Sequence, residues 1–409
     1  MRIVIAPDKF KGSLSAPDVA RHLAAGLQAA TGSNLEILVI PVADGGEGTL
    51  DAAVGSGFTR RSAVVSGPTG TPVTADFAVR GREAVIEMAA ASGLAVLPGG
   101  GPDSASATGA TSLGTGELIR AALDAGCRQI ILGVGGSANT DGGAGVLQGL
   151  GARFLDGGGH ELPPGGAALS RLEQIDFAGF DPRLEETRFV LASDVDNPLL
   201  GPAGAAAVFG PQKGATPADV DTLDAALSRF VDVLAAEIGP RAVKAAEAPG
   251  AGAAGGAGYA AIAALAATRR PGIDVVLEFT GLAERLAGAD LVITGEGSLD
   301  EQSLLGKTPL GVARAAARAG IPVIAVCGRT TLGPEQLAAS GFRTVHALTE
   351  LESDVDTCIA EAAALLERLG RNIGRQLAEA AADHTAAGRT GADHTGAGRT
   401  ATSKESLNV

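Results

Sequence analysis

Aromatic residues and long apolar runs are scarce in this chain of 409 residues: tryptophan is absent, and aromatics make up 3% of a sequence that is 45% hydrophobic. The core must therefore be built from Ala, Val, Leu and Ile, and the abundant Ala and Gly favour close packing of helices on sheets. No segment reaches the roughly 18 uninterrupted apolar residues of a membrane span. Because Met1-Arg2 runs directly into a strand-like segment, neither a membrane span nor a signal peptide is expected.

Cysteine and histidine are also rare. The chain has 3 cysteines, Cys127, Cys327 and Cys358, without CxxC spacing, which predicts reduced, buried thiols in a cytoplasmic protein. Of its 5 histidines, two lie near the C-terminus and the others are isolated from one another. A histidine-based metal site or a Ser-His-Asp triad is therefore not expected.

Positive charge is scarce as well. The formal net charge is −14, which disfavours nucleic acids and anionic membranes as partners. Only six of the 32 basic residues are lysines, and four of them, Lys9, Lys11, Lys213 and Lys307, lie in stretches rich in Gly or Pro. A lysine ammonium is a compact point charge that suits phosphate oxygens, so these lysines indicate a phosphate-bearing ligand. The alternative is that lysines simply favour loops.

Both ends of the chain alternate short apolar runs with helical patterns. Residues 2–6 predict a strand, 15–31 predict a helix with Ser15 as its N-cap, and 36–43 predict a second strand. The same alternation of short apolar runs and helical patterns recurs at 289–348. We therefore predict an α/β fold in which both termini form one doubly wound, mainly parallel sheet.

The middle of the chain has a different pattern. Residues 62–90 alternate in polarity, which is typical of antiparallel or mixed strands, and further helices and strands follow. We predict a doubly wound domain of 1–66 plus 286–381 and an inserted α/β domain of 67–285. The ligand is expected in the cleft where the strand-end loops of the two domains meet.

The C-terminal segment contains a tandem decapeptide, ADHTAAGRTG followed by ADHTGAGRTA. Two copies of a polar, Gly-rich unit cannot bury a core. Residues 382–409 are therefore predicted to be a disordered tail.

The stretch TGEGSLDEQSLLGKT, residues 294–308, ends like the phosphate-binding loop of many nucleotide enzymes. That motif needs Gly five positions before its final Gly-Lys, and this position is Glu301, whose carboxylate would repel a phosphate unless a metal lay between them. We interpret the stretch as a carboxylate loop that carries Glu296, Asp300 and Lys307.

Polar clusters follow several predicted strands directly, where parallel α/β sheets place functional groups. The clusters are IVIAPDKFKGS with Asp8, Lys9 and Lys11; IPVADGGEGT with Asp44 and Glu47; GVGGSANTDGGAG with Ser137 and Asp141; VLASDVDNPLLGP with Asp194; and GPQKGA with Lys213. A single cluster of this kind is usually a turn or a helix cap. Together they combine oxygen ligands for Mg²⁺ with lysines for phosphates, the groups that phosphoryl transfer requires.

Eight segments, in this order over residues 1 to about 380, resemble the bacterial glycerate kinase family: APDKFKGSLSA, PVADGGEGT, EMAAASGL, TSLGTGELI, GGSANTDGGAG, SDVDNPLLGP, VFGPQKGA and TGEGSLDEQSLLGKTPLGVA. The resemblance implies a two-domain α/β enzyme that uses ATP to phosphorylate D-glycerate in its interdomain cleft, usually to 2-phosphoglycerate. Many relatives carry Arg in place of Ser298 and Ser in place of Lys9, so neither position is given a unique role.

By position, the resemblance places these acids and lysines around the cleft, and we infer their roles. Asp194 or Asp300 is expected to orient the substrate hydroxyl, Glu296 and Asp44 to bind Mg²⁺, and Lys213 with Lys11 to neutralise charge. The remaining candidates for binding substrate or nucleotide are Asp8, Lys9, Lys11, Asp44, Glu47, Ser137 and Asp141. Which lysine binds which substrate stays open.

Three other functions were weighed. A non-catalytic sensor of nucleotides or sugar acids would lack the cleft acids that this chain has. A nicotinamide dehydrogenase should carry GxGxxG after its first strand, and APDKFKG does not fit. A magnesium-dependent phosphatase would share the acids, and only ATP consumption measured with and without glycerate separates it from a kinase. The oligomeric state stays open, with a homodimer as one option.

Overall fold

The structure is a computed structural model that describes residues 1–32, 35–99 and 101–392. Its strands are β1 (Arg2–Pro7), β2 (Glu36–Val39), β3 (Thr59–Ser66), β4 (Pro72–Arg80), β5 (Glu83–Glu87), β6 (Gln129–Gly133), β7 (Arg153–Leu155), β8 (Gln174–Asp176), β9 (Arg188–Ala192), β10 (Thr268–Arg270), β11 (Leu291–Leu299), β12 (Val323–Thr330) and β13 (Thr344–Ala347).

Helices connect most of these strands. They are α1 (Ala16–Thr31), α2 (Thr49–Gly55), α3 (Ala89–Ser92), α4 (Ser104–Gly109), α5 (Leu113–Asp124), α6 (Ala144–Gly149), α7 (Ala205–Phe209), α8 (Pro217–Ile238), α9 (Arg241–Ala246), α10 (Ala253–Ala264), α11 (Gly272–Thr280), α12 (Leu282–Arg285), α13 (Thr308–Arg318), α14 (Pro334–Ala339), α15 (Val355–Ala360) and α16 (Ala362–Ala392). No helix within the described ranges is long and apolar enough to cross a membrane.

The first sheet has the order β13-β12-β11-β1-β2, and each neighbouring pair is parallel. Both termini contribute to it, so the prediction of a mainly parallel sheet formed by both ends of the chain is confirmed. In order of appearance within this sheet the arrangement is 2-1-3-4-5, the flavodoxin-like doubly wound order. Its switch point, where ligands bind in such sheets, lies between the carboxyl ends of β1 and β11.

The second sheet has the order β10-β9-β6-β5-β4-β3. Strands β5, β6, β9 and β10 run parallel, whereas β4 pairs antiparallel with both β3 and β5. This agrees with the mixed pairing expected from the alternation at 62–90. The predicted boundary after residue 66 is wrong by one strand, because β3 pairs along its whole length with β4 of this sheet.

Three buried hydrophobic clusters hold the layers together. One covers the face of the first sheet that packs under α1 and α16, including Ile3, Leu23 and Leu366. A second fills the inserted domain. The third joins the two sheets, since Val276 of α11 and Val312 of α13 belong to one cluster with Val85 and Ile131 of the second sheet. Helix α11 packs in this shared core against both sheets, so the return boundary at 285 stays a prediction.

Local chemistry explains where the helices begin. Ser15 accepts a hydrogen bond from the backbone N–H of Asp18 and caps α1, as predicted. Helix α8 begins with Pro217 after a Thr216 capping box. At the other end of the chain, α16 continues to Ala392, past the predicted boundary at 382, so the first copy of the repeat lies in this helix. Residues 393–409, with nearly all of the second copy, lie outside the described residues.

Candidate active site

The carboxyl ends of the parallel strands of both sheets face one cleft with two adjoining chambers. The larger, which we call the switch-point chamber, has a volume of about 540 Å³ and lies at the ends of β1 and β11. The smaller, which we call the lysine chamber, has a volume of about 330 Å³ and lies at the ends of β6 and β9. Five residues line both chambers: Lys11, Asp44, Gly46, Gly135 and Gly136.

The structure brings nearly all of the predicted site residues to this cleft. Those that line the switch-point chamber are Asp8, Lys9, Lys11, Asp44, Glu47, Glu296, Asp300 and Lys307. Those that line the lysine chamber are Lys11, Asp44, Ser137, Asp194 and Lys213.

Asp8 follows β1 directly and is buried. Its Oδ2 accepts a hydrogen bond of 2.6 Å from the hydroxyl of Thr308, and its Oδ1 accepts one of 2.7 Å from the backbone N–H of Lys9. Burial raises its pKa to about 6, with the Lys9 charge opposing and the Asp44 charge adding to the shift. The Thr of the GKT sequence therefore orients Asp8 while it opens α13, a role that the sequence did not reveal.

Lys9 joins two of the loops. Its Nζ donates a hydrogen bond of 2.5 Å to the backbone oxygen of Glu47 and lies 3.9 Å from Asp8 Oδ1. This lysine thereby ties the loop after β1 to the loop that carries Asp44.

Glu296 extends from the carboxyl end of β11 into the switch-point chamber. Its Oε1 is buried and accepts no hydrogen bond from any described residue. Burial raises its pKa to about 7, and the charges of Asp8 and Asp300 add to the shift while Ser303 and Lys307 oppose it. A buried carboxylate oxygen without a donor suits a cation, or a ligand that carries one.

The donor set fits Mg²⁺ in the form that phosphate-transferring enzymes use. In the described part of the chain, no group of three or more His, Cys, Asp or Glu residues is arranged to hold a metal by itself. Mg²⁺ keeps several waters and is usually held by one or two carboxylates together with substrate phosphates. Glu296, with its unpartnered oxygen, and Asp44, on the wall between the chambers, match that requirement.

Asp300 also faces the switch-point chamber, but one of its oxygens has a structural task. Its Oδ1 accepts hydrogen bonds from the backbone N–H groups of Gln302, at 2.9 Å, and Ser303, at 3.2 Å. These bonds fix the short 3₁₀ turn Ser303–Leu305 that leads to α13.

Asp194 follows β9 in the lysine chamber, and its Oδ1 accepts a hydrogen bond of 2.8 Å from the backbone N–H of Gly272. Burial raises its pKa to about 6, with the backbone N–H of Gly272 opposing and the charge of Asp44 adding to the shift. A carboxylate with a pKa near 6 is suited to accept a proton close to neutral pH.

Glycine backbones bring the two domains into direct contact beside Asp44. A Cβ on Gly135 would lie 2.8 Å from the Cα of Gly46, and one on Gly45 would lie 2.7 Å from the Cα of Gly272. A side chain at Gly45, Gly135 or Gly272 would collide with the facing backbone, and we call these three residues together with Gly46 the glycine seam.

Lys213 lies at the end of the 3₁₀ turn Pro211–Lys213 and is 2% exposed. Its Nζ donates hydrogen bonds to the Ser137 hydroxyl, at 3.0 Å, and to the backbone oxygen of Asn139, at 2.5 Å. Burial lowers the pKa of this lysine to about 7, and the charge of Asp141 opposes the shift.

Asp141 lines neither chamber, so the structure does not bring this predicted binding residue to the cleft. It is 1% exposed. Its oxygens accept hydrogen bonds from Ser112 N (2.7 Å), Ser112 Oγ (2.8 Å), Asn139 Nδ2 (2.8 Å) and Gly143 N (3.0 Å). With its acceptor capacity used internally, Asp141 holds the loop before α6 in place.

Glu87 was missed by sequence reasoning, although its segment EMAAASGL carried part of the family resemblance. It ends β5, and its Oε1 accepts a hydrogen bond of 2.6 Å from the backbone N–H of Leu50 in the first turn of α2. Burial raises its pKa to about 7, and this backbone bond opposes the shift. Glu87 thus links the second sheet to the helix that follows the Asp44 loop. The sequence signal that could have identified Glu87 is its position at the end of the apolar run EAVIE, where other site acids also follow strands.

The structure is an α/β fold whose two sheets present carboxylates and lysines to a shared cleft. Comparison with known proteins makes the class specific. A family model described as the glycerate kinase family matches residues 3–378.

Several curated relatives match along nearly their whole length. A glycerate kinase of Bacillus subtilis (strain 168) is 44% identical over 380 residues, which cover 92% of this chain and 98% of the relative. A glycerate 2-kinase of Escherichia coli (strain K12) is 42% identical with the same coverage of both chains, 92% and 98%. A crystal structure of a candidate glycerate kinase 2 from Salmonella typhimurium LT2 superposes with a TM-score of 0.79 at 43% identity, covering 93% of this chain and 99% of that one.

The chain therefore belongs to the glycerate kinase family, and it is a kinase. The resemblance inferred from the eight segments is confirmed.

Proposed function

We propose that this kinase transfers the γ-phosphoryl group of ATP to D-glycerate with the help of Mg²⁺ and forms 2-phosphoglycerate. The observation that carries the proposal is that three carboxyl groups with raised pKa values, Asp8, Asp194 and Glu296, lie at the facing strand ends of two sheets together with Lys9 and Lys213. The name of the E. coli relative, glycerate 2-kinase, supports the choice of product.

The residues of the cleft have different tasks. Lys9 and Lys11 neutralise phosphate charge, which an acidic protein would otherwise repel. Glu296 and Asp44 would hold Mg²⁺, which when bound neutralises phosphate oxygens.

Asp194 or Asp300 orients the substrate hydroxyl and accepts its proton as the bond to phosphorus forms. Asp8, held by Thr308, and Glu47, on the loop tied by Lys9, complete the binding walls of the cleft. The three free, buried cysteines support a cytoplasmic location.

The test is ATP consumption by the purified protein with and without D-glycerate. We expect ADP release that depends on D-glycerate, stops in excess EDTA and returns with added Mg²⁺. Phosphorus and proton NMR of the product then distinguishes 2-phosphoglycerate from 3-phosphoglycerate. ADP release at the same rate without D-glycerate would indicate a phosphatase instead, and undiminished turnover in excess EDTA would contradict the metal assignment.

A further inference from the structure

The two chambers differ in the ligands that they can accommodate. The switch-point chamber combines its carboxylates and lysines with an apolar end formed by Leu348 and by Val355 and Ile359 of α15. Val355 and Ile359 are 38% and 44% exposed, so they present apolar surface to this chamber. A ligand with an apolar ring at one end and phosphates at the other matches this lining.

The lysine chamber is smaller and has a single buried cation. Within the described residues, no ion pair neutralises Lys213. Asp141 is the carboxylate whose charge reaches it, and the oxygens of Asp141 are already bonded by Ser112, Asn139 and Gly143. Lys213 therefore has hydrogen-bond partners, Ser137 and the Asn139 backbone, but no counterion.

A buried ammonium without a counterion is unfavourable, because its neutral partners do not replace the hydration it loses, which is why burial lowers the pKa of Lys213. An anion entering the chamber would supply the missing charge. The ammonium has three N–H donors, and only two are used by Ser137 and Asn139, so one remains for a ligand. Ser137, at 5% exposed, presents its hydroxyl at the same position.

We propose that Lys213 and Ser137 bind the carboxylate of the 2-hydroxy acid in the lysine chamber, and that the nucleotide occupies the switch-point chamber. This assignment rests on the proposed function and answers which lysine binds which substrate. A small carboxylate fits about 330 Å³, whereas a nucleoside triphosphate requires the larger chamber of about 540 Å³ and its apolar end.

The arrangement selects between the two candidate proton acceptors. Asp194 shares the lysine chamber with Lys213, whereas Asp300 lines the other chamber. The substrate hydroxyl thus lies beside Asp194. Its oxygen forms a bond to the γ-phosphorus, the bond from that phosphorus to the bridging oxygen breaks, ADP leaves with the electron pair, and the hydroxyl proton passes to Asp194. The phosphoryl group thus passes from the nucleotide in the switch-point chamber to the acceptor in the lysine chamber, beside Asp44 and Gly135, which line both chambers.

Two variants with opposite expected effects test the assignment. Lys213→Met is expected to raise the KM for D-glycerate by about 30-fold or more, the effect of removing one partner of a buried charge pair, while the KM for ATP changes less than about threefold. Ile359→Glu, at an exposed position of α15, is expected to raise the KM for ATP and leave the KM for D-glycerate unchanged. Lys244→Met, at an exposed lysine of α9, is the matched control and should alter neither.

The acceptor provides an independent check. Glycerol carries the two hydroxyls of glycerate and a CH₂OH group in place of its carboxylate. Measured with each acceptor at subsaturating concentration, Lys213→Met is therefore expected to reduce the rate with D-glycerate far more than the rate with glycerol. Circular dichroism confirms that each variant is folded, and Lys213→Arg, which keeps a cation, should recover part of the affinity for D-glycerate.

The outcomes separate the two proposals. Wild-type enzyme that does not phosphorylate D-glycerate would overturn the proposed function. If the wild-type enzyme is active but a folded Lys213→Met variant keeps its KM for D-glycerate, the subsite assignment alone is overturned. If the KM for ATP rises instead, Lys213 lies at the phosphates.

Discussion

The hydrogen bond between Thr308 and Asp8 offers the sharpest test of how the GKT sequence works. Thr308→Val removes the hydroxyl that donates to the buried Asp8 carboxylate at 2.6 Å and keeps the size of the side chain. In a phosphate loop this hydroxyl would act only when nucleotide is bound, so the ligand-free protein would keep its stability. Here the bond forms without ligand, and its loss should destabilise the protein by itself.

The expected size follows from the burial and charge of the acceptor. A hydrogen bond to a charged group contributes about 1.5–3 kcal/mol. For a domain of this size, this corresponds to a decrease in Tm of about 3–12 °C. The measurement belongs near pH 8, because the pKa of Asp8 is about 6 and its carboxylate must be ionised for the full effect.

Two companion variants make the assay specific. Thr308→Ser retains the hydroxyl and should lose less than about half of that stability. Lys307→Met removes the neighbouring lysine, whose Nζ lies 3.4 Å from Gln302 Oε1, and should change stability by less than about 0.5 kcal/mol. Thermal unfolding followed by circular dichroism without ligands measures all three. A Thr308→Val protein as stable as wild type, together with an inactive Lys307→Met, would refute this account and restore the phosphate loop.

Three further predictions concern Asp300, Glu87 and the tail. Asp300→Asn removes a carboxylate charge from the switch-point chamber and should lower kcat by at least about a hundredfold while changing KM less, whereas Lys307→Met should do less to kcat; a folded Asp300→Asn enzyme with wild-type kcat would contradict this charge-stabilising role. The pKa of Glu87 rises from 4.5 to about 7 on folding, so the stabilisation present below about pH 4.5 is lost as pH rises through 7. Glu87→Gln should remove this loss, and its Tm relative to wild type should increase between about pH 5 and pH 8; a constant difference would argue against the assignment. Deletion of residues 383–409 should lower Tm by less than about 4 °C, because Leu377 is the last described hydrophobic residue of α16 that packs on the core; a larger decrease would show that the tail docks.

Local patterns predicted most of the fold because each depends on neighbouring residues. The Ser15 cap, the helix start at Pro217 and the parallel strands at both termini depend on turn chemistry and hydrophobic periodicity. The assignment of β3 failed because the partner of a strand is a long-range property that its own alternation does not encode. Helix α16 continues into the first repeat, since a polar, Ala-rich unit can extend an existing helix without burying a face.

The candidate site was predictable as a set of strand-end acids and lysines, but individual positions were not. Asp141 and Asp194 occur in similar sequence settings, each in a polar loop after a strand. Only the fold shows that backbone and side-chain donors, among them Ser112 and Asn139, enclose Asp141, whereas Asp194 reaches a chamber. Thr308 and Glu87 were missed for the same reason, because their partners Asp8 and Leu50 are distant in sequence.

The glycine seam sets how precisely the two halves of the molecule can be positioned. Gly45 and Gly46 of one domain meet Gly272 and Gly135 backbone against backbone, without side chains that could change rotamer. Main-chain contacts of this kind cannot adjust by a change of side-chain rotamer. The backbone itself therefore fixes the spacing between the two chambers. A single methyl group added at Gly45, Gly135 or Gly272 would collide with the facing main chain, so it would change the spacing between the two chambers.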